Sequence, residues 1–328
     1  MNKPEREITY AEALNEAFFE EMRRSEDVIV MGIDVGVWGN LYGVTRGLLE
    51  EFGEERVKDT PISEAAIAGC GIGAALLGMK PVIEIMYIDF ISIAMDQIVN
   101  HAVKFPYLTA GKAKVPLVIR TQGGVGLSNA CQHSQSFESW FVNVPGLVVV
   151  MPSNPYDAKG LLKSAIRDDR PVMFIEHKKL YRSKGPVPKE EYLVPLGKSY
   201  AKRKGNDLTI VATSWMVDKA LEAAEILSKA GIEIEVIDPC TLAPLDKEPI
   251  LESVRKTGKC VVVHEAPKTG GWGGEIVSVI MEHVFDSLDA PVRRIAGLDT
   301  QVPYGKETEL QVVPDVEKIV KGVKQLVD

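Results

Sequence analysis

A chain of 328 residues, 45% hydrophobic and 26% charged, is long enough for two globular domains and lacks the composition of a disordered one. Its 46 acidic against 38 basic residues give a formal charge of −8, which leaves no basic face for a phosphate backbone and argues against nucleic acid as a partner. Four scattered cysteines, Cys70, Cys131, Cys240 and Cys260, form no C-x-x-C pair and are expected as reduced, structural thiols of a cytoplasmic protein rather than a disulfide frame or zinc site.

The N-terminal stretch "MNKPEREITYAEALNEAFFEEM" is charged and has no apolar core, so it predicts neither signal peptide nor transit sequence. No apolar run reaches ~18 residues, and no membrane span is expected. Thr9 and Glu12 stand in a capping-box pattern ahead of Leu14, Phe18 and Met22 at helical spacing, which predicts an opening amphipathic helix. The β-rich runs "DVIVMGI", "KPVIEIMY", "VPLVIRT", "LVVVM" and "PVMFIEH" then alternate with helical segments such as 89–104 and 155–167, the pattern of βαβ units in a mostly parallel sheet. Prolines and charges in "YRSKGPVPKEEYLVPLGKSYAKRKG" break that rhythm and predict a linker. Beyond it "LTIVATS", "IEIEVIDP", "CVVVHEA" and "VRRIAG" alternate with helices again. The expected division is a first α/β domain over 1–185, a linker over 186–205 and a smaller α/β domain over 206–328.

Gly69-x-Gly71-x-Gly73 imitates a dinucleotide-binding turn, but no strand runs into its first glycine. "EAAIAGCGIGAALLGM" reads instead as a helix after a turn marked by Pro61 and Ser63, with the glycines there for close backbone packing. "GGWGGE" after "CVVVHEA" is read as a flexible loop, with an anion cradle as the alternative. The five histidines include no H-x-H or i,i+4 pair that would point to zinc. Glu64 stands at the start of the glycine-rich helix with no neighbouring base. From the residues alone it is either a dipole-stabilised helix-start acid or a functional carboxylate.

Several segments carry a family resemblance: "RVKDTPISEAAIAGCGIGAALLGMKPVIEI", "DFISIAMDQIVNHAVK", "CQHSQSFESWF", "VPGLVVVMPSNPYDAKGLLKSAIRDDRPVMFIEHKKLY", "DPCTLAPLD" and "VVVHEA". Together they resemble the beta chain of the thiamine-diphosphate-dependent 2-oxo acid dehydrogenases over nearly the whole length. "ISEAAI", "GKAKVP" and "EHKKLY" look nearest to acetoin dehydrogenase, followed by the pyruvate and branched-chain enzymes.

The resemblance implies a pyrimidine-binding domain followed by a transketolase-like C-terminal domain, both α/β. It implies that Glu64 hydrogen-bonds a ring nitrogen of the cofactor's aminopyrimidine and drives its tautomerisation, so that the imino nitrogen takes the thiazolium proton. It further implies that Phe90 stacks on the pyrimidine with Met86 also at the cofactor, and that His133 serves the reacting carbon and the incoming lipoyl group. Asp168 in "AIRDD" matches an acid at a potassium site, although Arg170 stands where relatives have asparagine. Ile33 stands where relatives carry an acid, joined in them by the counterpart of Asp96 in a carboxylate path between active sites.

No G-D-G sequence occurs in the chain, so magnesium and the diphosphate are expected to be held mainly by an alpha chain. The implied assembly is two alpha and two beta chains docked on a dihydrolipoyl acyltransferase core, whose lipoyl domain accepts the acyl group. The competing readings are a branched-chain beta subunit and a split transketolase-like subunit that moves a ketol unit.

Overall fold

The computed structural model describes residues 6–327; the first five residues of the charged N-terminal stretch, and of the expected first domain, lie outside them. The chain forms two compact units. One comprises the described residues up to Gly123 together with Trp140–Leu196, the other Gly124–Ser139 together with Gly197 onward.

The first unit opens with β1 (Glu7–Thr9) and α1 (Tyr10–Arg24). The expected capping box is present: the Glu12 amide donates to Thr9 Oγ1 at 3.2 Å and the Thr9 amide to Glu12 Oε2 at 2.7 Å. Tyr10, Leu14, Phe18 and Met22 turn inward. There follow β2 (Val28–Gly32), α2 (Leu48–Phe52), β3 (Val57–Asp59), α3 (Glu64–Leu76), β4 (Lys80–Ile85), α4 (Lys104–Leu108), β5 (Val118–Gly123), α5 (Glu138–Val142), β6 (Val148–Val150), α6 (Pro155–Arg167), β7 (Val172–His177) and β8 (Lys184–Pro186). Strands β6-β7-β5-β4-β2-β3 lie side by side in that order, every pair parallel. β2, β5, β6 and β7 are buried at every position, as strands covered by helices on both faces must be. The segment expected as one helix over 89–104 is instead a 3₁₀ stretch (Ile88–Ala94) and a π turn (Gln97–Ala102) leading into α4.

α6 begins where Asn154 accepts the Asp157 amide at 3.0 Å and Pro155 occupies the first turn. It lies along α1, and the two helices meet through a charged seam. Lys159 Nζ is 2.6 Å from Glu20 and 3.0 Å from Glu16, Lys163 Nζ 2.5 Å from Glu20, and Arg167 2.6 Å from Glu21. Lys159 and Lys163 are fully buried, which a lysine tolerates only when it is paired.

The second unit contains β9 (Tyr200–Arg203), which lies within the stretch read as linker, then β10 (Leu208–Ala212), α7 (Trp215–Ser228), β11 (Ile234–Asp238), β12 (Thr241–Ala243), α8 (Glu248–Thr257), β13 (Cys260–Pro267), α9 (Gly273–Val284), β14 (Arg293–Gly297), α10 (Lys306–Gln311) and α11 (Val316–Val327). Its sheet runs β14-β13-β10-β11-β9, parallel except for β9. Leu208, Ile210, Val236, Val261 and Val263 pack against Met216, Ala220 and Leu227 of α7 and Ile319 and Val323 of α11.

"GGWGGE" is neither a loose loop nor an open cradle. A Cβ on Gly271 would lie 2.4 Å from His264 Cε1, and one on Gly273 2.5 Å from His264 Cδ2. The missing side chains leave room for a buried imidazole, and Gly273 goes on to open α9. Burial, and then the charge of Arg294, push the His264 pKa down to about 4 against an opposing contact from the Ala266 backbone.

The unfolded chain therefore binds this proton first, at the ordinary pKa of 6.5, and stability falls as pH drops from 6.5 to 4. A depression of this size corresponds to about 3 kcal/mol in full. Urea unfolding between pH 7.5 and 4.5 is expected to show a shallower acid loss in His264→Gln than in the parent. Superimposable slopes would mean that another group titrates.

Candidate active site

In the first unit the C-terminal ends of β2, β3, β4, β5 and β7 form one edge, where the loops of a parallel α/β sheet gather functional groups. After β3 the chain turns sharply. The Thr60 amide donates to the Gly32 carbonyl at 2.9 Å, Pro61 ends the extended run, and Ser63 stays non-helical with φ −161° and ψ 72°. Glu64 is thereby the first residue of α3. Its side chain is buried, at 5% exposure, yet receives no hydrogen bond among the described residues.

Only the middle glycine of the motif packs as expected. A Cβ on Gly71 would meet Ile83 Cγ2 at 2.7 Å, so its absence lets α3 lie directly on β4. Gly69 and Gly73 have nothing within 4 Å of a would-be Cβ, because a two-residue step turns a helix by about 200° and points them away from the sheet.

β4 leaves the sheet at the same edge and delivers Met86. The 3₁₀ stretch that follows carries Phe90 and packs on α3. Met86 and Phe90 are half-buried, so two apolar side chains and one carboxyl group without a hydrogen-bond partner among the described residues share this edge. Such a set fits a flat heteroaromatic ring, which needs apolar faces and one polar edge partner.

The sequence reading missed two neighbours here. His177 ends β7 and accepts the Lys179 amide on Nδ1 at 3.1 Å, and the buried Lys178 ammonium lies 4.4 Å from the Tyr87 ring centroid. The available signal was a buried apolar strand that ends abruptly in "HKK".

Asp168 lies elsewhere. It caps the C-terminus of α6 ahead of β7, at the opposite edge from Glu64. Arg170 binds both of its oxygens, Nε to Oδ1 at 2.9 Å and Nη2 to Oδ2 at 2.7 Å, and its amide reaches Oδ1 at 2.8 Å. Through these contacts Arg170 holds the Asp168 carboxyl below its ordinary range, against the opposing effect of burial. Ile33 is half-buried, whereas Asp34 and Asp96 are exposed.

His133 belongs to the second unit. It sits half-buried in the Gly124–Ser139 segment, its amide donating to the Ala130 carbonyl at 3.3 Å. At the end of that segment Glu138 is buried, and desolvation, with the nearby charge of Glu265, raises its pKa to about 7. It was not singled out from sequence, where "CQHSQSFESWF" served only as part of the family resemblance. Among the described residues no cysteine is in a disulfide: Cys240 and Cys260 are buried as expected, Cys131 is intermediate, and Cys70 is exposed on the outer side of α3. Among the described residues no helix is long and apolar enough to cross a membrane.

Residues 6–184 match the model of the transketolase pyrimidine-binding domain and residues 197–319 that of the transketolase C-terminal domain. The 2-oxoisovalerate dehydrogenase subunit beta of Bacillus subtilis (strain 168) is 46% identical, the match covering 98% of this chain and 99% of that one. The chain belongs to the beta-subunit family of the thiamine-diphosphate-dependent 2-oxo acid dehydrogenases.

Two other members are similar to almost the same degree. The acetoin:2,6-dichlorophenolindophenol oxidoreductase subunit beta of B. subtilis is 44% identical over 98% of this chain and 97% of its own. The mitochondrial pyruvate dehydrogenase E1 component subunit beta of Dictyostelium discoideum is 43% identical over 98% and 91%. Identities so close together do not rank the three substrates, and the likeness to acetoin dehydrogenase in short motifs carries no further. Among solved structures, a split-gene transketolase described as an inactive beta4 tetramer matches with a TM-score of 0.79 at 22% identity over 98% of both chains, which bears on the fold alone.

Proposed function

We propose that the chain is the beta subunit of a heteromeric 2-oxo acid or acetoin dehydrogenase and supplies the pyrimidine half of each thiamine-diphosphate site. An alpha chain supplies the magnesium and diphosphate half in a two-alpha, two-beta assembly. The observation that carries this reading is Glu64, a buried carboxylate without a hydrogen-bond partner among the described residues, set at a sheet edge beside Met86 and Phe90.

When bound, the cofactor supplies the carbon nucleophile that opens the substrate's bond next to its carbonyl. Glu64 would hold and return a proton at the pyrimidine ring nitrogen, while Met86 and Phe90 line the ring's apolar faces and exclude water. His133 would move a proton at the lipoyl dithiolane as a dihydrolipoyl acyltransferase presents it. Potassium has no part in this reading, since Arg170 already neutralises both oxygens of Asp168. A cytoplasmic setting suits four cysteines that form no disulfide among the described residues.

The deciding experiment is co-purification with the alpha chain, followed by assay with acetoin, pyruvate and 2-oxoisovalerate against lipoamide, and with sugar phosphates for ketol transfer. The complex is expected to reduce lipoamide with at least one of the first three. The isolated beta chain is expected to be inactive and to bind thiamine diphosphate weakly in calorimetry. Tight cofactor binding by the beta chain alone, or ketol transfer by the complex, would overturn the proposal.

A further inference from the structure

The segment that carries His133 follows β5 in sequence but folds with the C-terminal residues. Its backbone is unusual, with positive φ at Gly124 (81°), Gly126 (126°), Ser128 (60°) and Ala130 (61°). A non-glycine residue in the left-handed region costs roughly 1 kcal/mol or more, so something outside the loop must over-determine its shape.

Two side chains from far along the chain do so. Glu265, near the end of β13, accepts the Val125 amide on Oε1 at 2.7 Å. Glu309, in α10, accepts the Ser128 amide on Oε2 at 3.0 Å. Glu309 is fully buried, and its other oxygen has no hydrogen-bond partner among the described residues. A buried carboxylate spent on one backbone amide stabilises the chain poorly, because desolvating the charge costs several kcal/mol that a single hydrogen bond does not return. What both acids grip at these contacts is the main chain of one loop. Between the loop's ends, the Gly124 amide donates to the Gln135 carbonyl at 2.9 Å, closing the segment around His133.

We propose that Glu309, with Glu265, is a positioning residue: it fixes the backbone of the 124–139 loop and so sets where His133 meets the incoming lipoyl group. This rests on the role given to His133 above. Glu309 acts through the loop and touches no substrate.

The test uses the reconstituted alpha–beta complex with wild-type beta chain, Glu309→Gln, Glu309→Ala and His133→Ala. Three quantities are measured: the lipoamide-linked rate, the rate with an artificial electron acceptor that bypasses lipoamide, and amide hydrogen exchange in the 124–139 peptides. Glu309→Ala is expected to speed exchange in the loop at least 10-fold and to lower the lipoamide-linked rate 10- to 100-fold, with the bypassed rate within twofold of wild type. Glu309→Gln, which keeps an acceptor oxygen, is expected to recover most of both losses.

The positioning role is overturned if loop exchange is unchanged, or if the lipoamide-linked and bypassed rates fall together in Glu309→Ala. Should the alanine variant fail to assemble, the same comparison is made on Glu265→Ala, with the same outcomes deciding. If His133→Ala lowers the lipoamide-linked rate and the Glu309 variants do not, the positioning role fails while the reading of His133 stands. If His133→Ala leaves that rate unchanged, the reading of His133 fails and the positioning role with it.

Discussion

Glu64→Gln is expected to leave the beta chain folded and its complex assembled while slowing proton–deuterium exchange at the thiazolium carbon by roughly 10²–10⁴, the usual worth of a positioned acid–base group. Glutamine matches glutamate in size and still accepts or donates a hydrogen bond, so packing at the start of α3 is preserved. The amide cannot take or return a proton, and only the step that needs one is lost. Glu64 contributes little that a glutamine would not contribute to helix stability, since its buried carboxylate has no described hydrogen-bond partner and gains only from the helix dipole. Exchange can be followed by acid quench and nuclear magnetic resonance in the reconstituted complex. An exchange rate within a factor of two of wild type would return Glu64 to the role of a helix-start acid.

Arg120→Met is expected to cost the first unit about 3–5 kcal/mol, the penalty for removing one partner of a buried ion pair. Arg120 has no exposed surface. From β5 it reaches Glu84 of β4 with Nη1 at 2.5 Å and Glu176 of β7 with Nε at 2.6 Å and Nη2 at 2.8 Å. Tyr181 Oη also donates to Glu176, and Asn40 and Gln122 to Glu84. Methionine fills the arginine's volume but leaves two carboxylates facing each other without a cation.

The pH dependence has a definite sign. Burial already raises the Glu84 pKa with Arg120 present. Without Arg120, Glu84 should take up its proton still more readily when folded than when unfolded, so the variant's deficit should shrink as pH falls. Denaturant midpoints of parent and variant across pH 5 to 8 test this, and a deficit that does not change with pH would contradict it. Adding Glu84→Gln and Glu176→Gln to the variant is expected to recover much of the loss, because no buried charge then lacks a partner.

Those three side chains also mark where the sequence stops being legible. Continuous apolar runs identified each main strand because a parallel strand is buried on both faces, and the Pro155–Arg167 helix was legible as the helical stretch between two of them. In "VPLVIRT", by contrast, Arg120 looks like the exposed end of a strand. Its burial is visible only once strand order and register are known, since Glu84 sits directly across from Arg120 in the β4–β5 pairing. The 88–108 region misled because its apolar spacing suits a helix of any pitch, and 3₁₀ and π turns share that pattern. Glu265 and Glu309 were invisible for a different reason. Their amide partners lie 140 and 181 residues away, and no local pattern carries a contact at that separation. Glu64 could be read as a helix-start acid from the residues, and a family likeness was needed to single it out.

The path of the chain bears on how such a protein can be divided or recombined. It crosses between its compact units at Gly123–Gly124, at Ser139–Trp140 and at Leu196–Gly197, so the C-terminal unit is not one contiguous block of gene. A fragment starting at Gly197 would hold Glu265 and Glu309 with no amides from Val125 and Ser128 to receive them. A fragment ending at Leu196 would carry the His133 segment with its tethers removed. Exchanging C-terminal halves between relatives is therefore compatible with this architecture only if Gly124–Ser139 travels with the half it folds against, or if the recipient already presents glutamates at both tether positions. The cut that looks natural in the sequence, between the two runs of alternating strands and helices, separates two carboxylates from the loop amides they hold.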